Sequence, residues 1–223
     1  MSPLQTETIE LKAADGHRFD AYRALPAGTP RGGIVVVQEI FGINDHMQAV
    51  TRQYAEAGYL AIAPALFDRA RRKADVPYSD AATGAALRQE LKPEQALLDL
   101  TAAIDAAAAV GKVGMVGFCW GGTMTYAAAC HLPLAAGVAY YGGGLPRLLD
   151  RTPKCPIMFH FGERDANIPP SDIDKVKKAY PLGHYYLYPA EHAFNRAGHP
   201  PYDAPSAALA LQRTLDFFHR HVG

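Results

Sequence analysis

The spacing of apolar residues predicts an antiparallel hairpin followed by a buried strand. Residues 8–11 and 19–22 alternate apolar and polar side chains on either side of Asp15-Gly16, a typical turn pair. Residues 33–37 are instead continuously apolar and β-branched, as expected of a strand that is buried on both faces. This pattern leaves open whether the hairpin joins the main sheet.

Strands and helices alternate through the rest of the chain. Helical spacing marks residues 47–57, and residues 79–109 form two helices because Pro93 can begin a helix but not continue one. Such alternation predicts an α/β fold, with a mostly parallel sheet covered by helices on both faces. Ligands bind such sheets beyond the carboxyl ends of the strands. The remaining predicted strands are 59–63, 113–116, 137–141, 157–161 and 184–188, and the remaining helices are 123–130, 173–179 and 208–218.

Composition sets bounds on the class of protein. The 223 residues fit one domain spanning 1–223, and 22 basic residues balance 22 acidic ones, which argues against a nucleic-acid partner. No apolar run reaches the roughly 18 residues of a membrane span. The N-terminus lacks the basic and apolar regions of a secretion signal, and three irregularly spaced cysteines form no disulfide framework. We expect a cytoplasmic monomer or small homo-oligomer with a small-molecule substrate and no cofactor.

One glycine-rich turn carries the candidate chemistry. Residues 117–121 read Gly-Phe-Cys-Trp-Gly between a predicted strand and a predicted helix. With serine at the centre, this frame is the nucleophile elbow of α/β-hydrolases. A strained turn would project Cys119 above the sheet and place its thiol at a helix N-terminus, which favours a thiolate. The alternative is a buried, inert cysteine in a tight turn.

The order of two later residues favours the catalytic interpretation. Asp165 follows the strand 157–161, and His192 follows the strand 184–188. Nucleophile, acid and histidine come in the chain order of the α/β-hydrolase triad. Glu163 is a weaker candidate for the acid. Five other histidines and the two other cysteines have no matching partner or elbow, and His160 in particular has the setting of a core histidine. They are His160, His184, His199, His219, His221, Cys130 and Cys155.

Several segments together resemble the dienelactone hydrolase, or carboxymethylenebutenolidase, family. The resemblance covers nearly the whole chain, and the cysteine elbow combined with the segment Gln-Glu-Ile-Phe-Gly is its most specific part. It implies an α/β-hydrolase fold and the hydrolysis of carboxylated enol-lactones to maleylacetate. The segments are residues 38–42, 116–122, 139–142, 161–165 and 191–196.

The resemblance also implies roles for residues outside the turn. It implies a Cys119–His192–Asp165 triad, and an oxyanion hole formed by the backbone N–H groups of Ile40 and Trp120. The matching glutamate, Glu39, would contact the resting thiol and then help to activate it. Substrate contacts are expected from Arg196, which would clamp a carboxylate, and from Phe41 and Tyr140. A second arginine of the clamp comes from Arg69, Arg71, Arg72 or Arg88, which the sequence does not distinguish.

The sequence predicts acyl transfer through a thioester on Cys119, with no metal ion. Three alternatives stay open at this point. The first is an esterase of broader specificity at the same site, and the second is a non-catalytic ligand-binding relative. The third is a thiol redox protein, which the absence of a resolving cysteine near Cys119 disfavours.

Overall fold

A computed structural model describes residues 4–223 and contains one eight-stranded sheet. Met1, Ser2 and Pro3, on which the expectation of no secretion signal partly rests, lie outside the described residues. The strands are ordered β1-β2-β4-β3-β5-β6-β7-β8, and β3 to β8 run parallel. Their bounds are Gln5–Lys12 (β1), Arg18–Leu25 (β2), Gly33–Val37 (β3), Leu60–Pro64 (β4), Val113–Phe118 (β5), Ala136–Tyr140 (β6), Ile157–Gly162 (β7) and His184–Tyr188 (β8).

Within this range six α-helices connect and cover the strands. The first, α1, begins after Asn44, whose side chain accepts a hydrogen bond from the Met47 N–H and so caps the helix. The predicted break at Pro93 is confirmed, because α3 begins with this proline. The helices are Asp45–Glu56 (α1), Ala81–Glu90 (α2), Pro93–Ala107 (α3), Trp120–His131 (α4), Pro170–Ala179 (α5) and Ala204–His221 (α6).

The N-terminal hairpin is part of the main sheet. Strand β1 pairs with β2, and β2 pairs antiparallel with β4 through residues such as Tyr22 and Ala63. The two faces of β2 explain why it can take this place, since Phe19, Ala21 and Ala24 are buried while the residues between them are more exposed. The fold is therefore the predicted α/β sheet with an antiparallel extension at one edge.

The central strands are apolar on both faces, as their sequence predicts. Every residue of β3, β4, β5, β6 and β7 is buried. Because these strands are parallel, their carboxyl ends meet at one edge of the sheet, and the turns after β3, β5, β6, β7 and β8 lie together there. Within the described residues, no helix is long and apolar enough to cross a membrane.

Two boundaries differ from the predicted ones and affect the site. Helix α4 begins at Trp120 rather than at residue 123, because the turn at Cys119 leads directly into the helix. Strand β6 ends at Tyr140, so that Tyr141 lies beyond the strand with a left-handed φ of 38°. A bulky residue rarely adopts this conformation, and its occurrence at a sheet edge often marks a functional site.

Candidate active site

Cys119 occupies a strained turn between β5 and α4. Its φ and ψ are 56° and −116°, outside the regions that L-residues normally adopt. Two glycines make the turn possible: a side chain on Gly117 would overlap the carbonyl oxygen of Gly121, and one on Gly121 would overlap that of Val37. The strain therefore projects the Cys119 side chain into the space above the carboxyl edge of the sheet.

The start of α4 leaves hydrogen-bond donors free beside this thiol. Cys119 is anchored by its own N–H, which donates to the carbonyl of Tyr140 at 3.0 Å. The N–H groups of Ile40 and Trp120 donate to no carbonyl among residues 4–223. Ile40 and Trp120 line the same cleft as Cys119. These donors have the type and the location that an oxyanion hole requires.

His192 and Asp165 form a hydrogen-bonded pair next to Cys119. The Nδ1 of His192 lies 2.7 Å from Oδ2 of Asp165, whose other oxygen accepts the N–H of Asn167 at 2.8 Å. Glu163, the weaker candidate for the acid, is exposed. The sequence prediction of Asp165 therefore agrees with the geometry.

The surroundings of His192 favour its protonated form. Burial alone would lower its pKa, but hydrogen bonding to Asp165 and to Cys119 outweighs burial and raises the pKa to about 10. An imidazole with this pKa readily takes the proton of a neighbouring thiol. The arrangement therefore places a base with a raised pKa beside the Cys119 thiol.

Glu39 is bonded to Arg196 rather than to the thiol. The Nε and a terminal nitrogen of Arg196 donate to the two carboxylate oxygens of Glu39 at 3.1 Å and 3.0 Å. Glu39 is 1% exposed, so it lies at the end of β3 as a buried charge that needs this partner. Among the described residues no hydrogen bond joins Glu39 to Cys119, which contradicts the expected resting contact between them.

Aromatic rings hold the Arg196 guanidinium in place. Its central carbon lies 4.3 Å from the ring centroid of Tyr78 and 5.0 Å from that of Phe41. Phe41 and Arg196 line the cleft with Cys119, as predicted, whereas Tyr78 was not predicted from the sequence. The pKa of Arg196 is raised, because Glu39 outweighs the effect of burial.

The structure corrects the prediction that Tyr140 contacts substrate. Tyr140 is 1% exposed, its hydroxyl lies 2.8 Å from Oγ1 of Thr214, and it does not line the cleft. Its neighbour Tyr141 is also fully buried, and its ring packs against His192 with 5.1 Å between the ring centroids. The Tyr141 hydroxyl is fully buried and has no hydrogen-bond partner among the described residues. Neither tyrosine lines the cleft, and of the two only Tyr141 packs against His192.

The four candidates for a second clamp arginine are now distinguishable. Arg69 donates to Asp99 and Asp15, and Arg72 pairs with Asp20, so both are engaged away from Cys119. Only Arg88, on α2, lines the cleft. The sequence analysis missed a further arginine, Arg147, which lines the cleft from the loop after β6. Its position after a parallel strand was the available signal.

The other histidines and cysteines are structural or peripheral. His160 is fully buried between Tyr188 and Thr214, and burial lowers its pKa to about 3, as expected of a core histidine. Cys130 and Cys155 are buried, and burial raises their thiol pKa values to about 11 and about 12. In the described part of the chain no group of three or more histidine, cysteine and acidic side chains could hold a metal ion.

Comparisons with known proteins agree with the fold and with the family that the sequence resembles. A model of the dienelactone hydrolase family matches residues 19–222. The carboxymethylenebutenolidase of Pseudomonas putida is 36% identical, with 95% of each chain covered. A provisionally named dienelactone hydrolase from Klebsiella pneumoniae superposes with a TM-score of 0.86 at 29% identity, covering 98% of this chain and 99% of that one. The dienelactone hydrolase of Anabaena variabilis, at 17% identity and a TM-score of 0.73 over both whole chains, shares the fold.

Proposed function

The chain belongs to the dienelactone hydrolase family of ester-bond hydrolases, and from this premise we propose that it opens carboxylated enol-lactones of the dienelactone type to maleylacetate. One observation carries the proposal: the cleft that exposes Cys119 in its strained turn also contains His192, held by Asp165, and Arg196. A cysteine nucleophile suits a lactone whose leaving group is an enolate, because the delocalised charge of the enolate makes it leave readily.

Acylation begins with transfer of the thiol proton from Cys119 to His192. The thiolate sulfur attacks the lactone carbonyl carbon, and the carbonyl oxygen takes the negative charge. The free N–H groups of Ile40 and Trp120 stabilise that oxyanion, an effect that is worth about 3 kcal/mol for each donor in well-studied hydrolases. Collapse breaks the carbon–oxygen bond, and the departing enolate takes the proton from His192. A thioester on Cys119 and a neutral His192 remain.

Deacylation uses the same residues, with water as the nucleophile and Cys119 as the leaving group. His192 takes a proton from water, whose oxygen attacks the thioester carbonyl, and Cys119 leaves as the thiolate. Asp165 fixes the orientation of the imidazole through Nδ1, so that the other ring nitrogen is free to handle the proton.

Arg196 links substrate binding to the state of Glu39. A guanidinium binds a carboxylate through two parallel hydrogen bonds, and Glu39 now occupies two of the donors of Arg196. A substrate carboxylate that reaches Arg196 competes with Glu39 and frees a second carboxylate close to the thiol. The freed Glu39 carboxylate can then assist His192 in accepting the thiol proton, which makes activation of Cys119 faster when the substrate carries a carboxylate.

Replacing Cys119 tests the nucleophile. Cys119→Ala should abolish hydrolysis of an activated ester and of a dienelactone, while Cys130→Ala, a matched change at a buried thiol, should leave it nearly unchanged. Circular dichroism would show that both variants fold. Hydrolysis by Cys119→Ala at the wild-type rate would refute the assignment, and a wild-type protein with no burst of product would favour a non-catalytic relative.

A panel of esters tests the substrate class. Carboxylated dienelactones should be hydrolysed with a higher kcat/KM than neutral esters with the same leaving group. Arg196→Gln should raise KM for the carboxylated members far more than for the neutral ones. Equal effects on both classes would favour a broad carboxylesterase without a carboxylate clamp.

A further inference from the structure

The catalytic cleft contains more positive charge than one substrate carboxylate requires. Its volume is about 410 Å³, and three arginines line it: Arg88, Arg147 and Arg196. No aspartate or glutamate is among its lining residues. The chain as a whole, by contrast, is balanced, with 22 basic and 22 acidic side chains. Positive charge is therefore concentrated around Cys119.

The three guanidinium groups differ in whether they already have hydrogen-bond partners within the protein. Arg196 is buried, bonded to Glu39 and packed against two aromatic rings. Arg88 and Arg147 are exposed, and neither side chain makes an ion pair or a hydrogen bond with any residue in the described range 4–223. Arg69 illustrates the contrast, since it binds two carboxylates at once. Arg88 and Arg147 thus keep all of their donors available to a ligand.

The two exposed arginines reach the cleft from separate segments. Arg88 lies near the end of α2, which packs on the turn after β3 so closely that Gly84 leaves no room for a side chain beside the Ile40 carbonyl. Arg147 follows the loop after β6, which is tied to α4 by a hydrogen bond of 3.1 Å from the Gly144 N–H to Thr123. Each arginine is therefore held at the cleft by a segment that is itself fixed to the site.

We propose that Arg88 and Arg147 form a second anion subsite at the mouth of the cleft, so that the preferred substrate carries two carboxylates. This inference rests on the proposed function and extends it: Arg196 takes the carboxylate near the lactone, and the outer pair takes one that is farther away. Guanidinium groups hold carboxylates through charge-assisted hydrogen bonds, and two of them favour a dianion over a monoanion of the same length.

Protection of Cys119 from alkylation tests the subsite without requiring turnover. Iodoacetamide is neutral, so the arginines do not attract it. Its rate of reaction reports on the access to the thiol and on the ionisation of the thiol, and any effect on ionisation through Arg196 is common to both probes below. Glutarate and pentanoate are matched probes, because both have five carbons and they differ by one carboxylate. Glutarate should protect Cys119 at roughly a tenfold lower concentration than pentanoate, the size expected for added charge-assisted hydrogen bonds.

Variants at the outer arginines identify the source of that advantage. Arg88→Gln and Arg147→Gln should each remove most of the roughly tenfold preference for glutarate over pentanoate, while changing protection by pentanoate less than twofold. Arg71→Gln is the matched control, since Arg71 is also exposed and without a side-chain partner in the described range, but does not line the cleft. Arg71→Gln should leave unchanged the concentrations of glutarate and of pentanoate that protect Cys119.

The outcomes separate this inference from the proposed function. Equal protection by glutarate and pentanoate in the wild type would overturn the subsite. It would also be overturned if the two variants lost protection by glutarate and protection by pentanoate to the same extent, which would indicate general attraction of anions. Selective protection by glutarate in a protein that hydrolyses no ester would support the subsite and refute the proposed function. Ester hydrolysis without selective protection would refute the subsite alone.

Discussion

Tyr140 and Tyr141 are adjacent buried tyrosines whose hydroxyl groups should affect stability in opposite directions. The Tyr140 hydroxyl lies 2.8 Å from Thr214, whose oxygen also contacts His160 at 3.0 Å. The Tyr141 hydroxyl is equally buried but has no hydrogen-bond partner among residues 4–223. Replacement by phenylalanine removes one oxygen at each position and keeps both rings.

The expected magnitudes follow from the cost of burying a polar group. Tyr140→Phe removes a satisfied hydrogen bond and should lower the free energy of unfolding by about 1 kcal/mol. The Tyr141 hydroxyl is buried without a hydrogen bond, which destabilises the fold by about 1–3 kcal/mol. Tyr141→Phe removes this hydroxyl, so it should leave the free energy of unfolding unchanged or raise it. For a chain of this size 1 kcal/mol corresponds to a shift in Tm of roughly 2–4 °C.

Urea unfolding at neutral pH, followed by circular dichroism, measures both variants against the wild type. The ring of Tyr141 packs on His192 and Phe194, at centroid distances of 5.1 Å and 5.4 Å, so its packing contribution should survive in Tyr141→Phe. A loss of stability in Tyr141→Phe as large as in Tyr140→Phe would refute the reasoning, because it would mean that the Tyr141 hydroxyl has a partner.

Three further changes have expected outcomes. Glu39→Gln should lower the free energy of unfolding by about 3–5 kcal/mol, because it leaves the buried charge of Arg196 without a counterion; chemical denaturation measures it. Because the pKa of His192 is raised in the folded state, its protonation contributes a stabilisation that is fully present below pH 6.5 and is lost as the pH rises through about 10. Asp165→Asn should make the free energy of unfolding depend less on pH in this range. Gly117→Ala should abolish folding or activity, since the added methyl group overlaps backbone, and soluble yield with ester hydrolysis reports both.

Matched controls make these outcomes informative. Asp172→Asn breaks the exposed ion pair with Lys175 and should cost less than about 1 kcal/mol, and a similar cost for Glu39→Gln would contradict the buried pairing. Gly28→Ala meets no atom within 4 Å and should be tolerated. If Asp165→Asn left the titration of His192 unchanged by NMR, hydrogen bonding to Asp165 would not be what raises that pKa.

The sequence predicted the elements whose pattern is local. The β-branched run of β3, the break at Pro93 and the glycines around Cys119 each encode their structure within a few residues, so all were predictable. The order of Asp165 and His192 after Cys119 then located the candidate triad, because parallel strands bring their carboxyl ends to one edge.

The remaining features depend on contacts between distant parts of the chain. Glu39 and Arg196 are 157 positions apart, and no local pattern shows that they pair. The edge of the sheet that receives the hairpin is set by the pairing of β2 with β4, which alternation alone does not specify. Tyr141 rather than Tyr140 packs against His192, because β6 ends one residue earlier than its apolar pattern predicts.

Acyl transfer to Cys119 can be observed as a covalent intermediate. The wild-type enzyme is mixed with an activated carboxylated ester, quenched in acid during the first turnovers, and analysed by intact mass and peptide mapping. We expect a mass increase of one acyl group on the peptide that contains Cys119, labile to hydroxylamine as a thioester should be. Product formation with no acyl group on Cys119, or with one on another residue, would contradict the account.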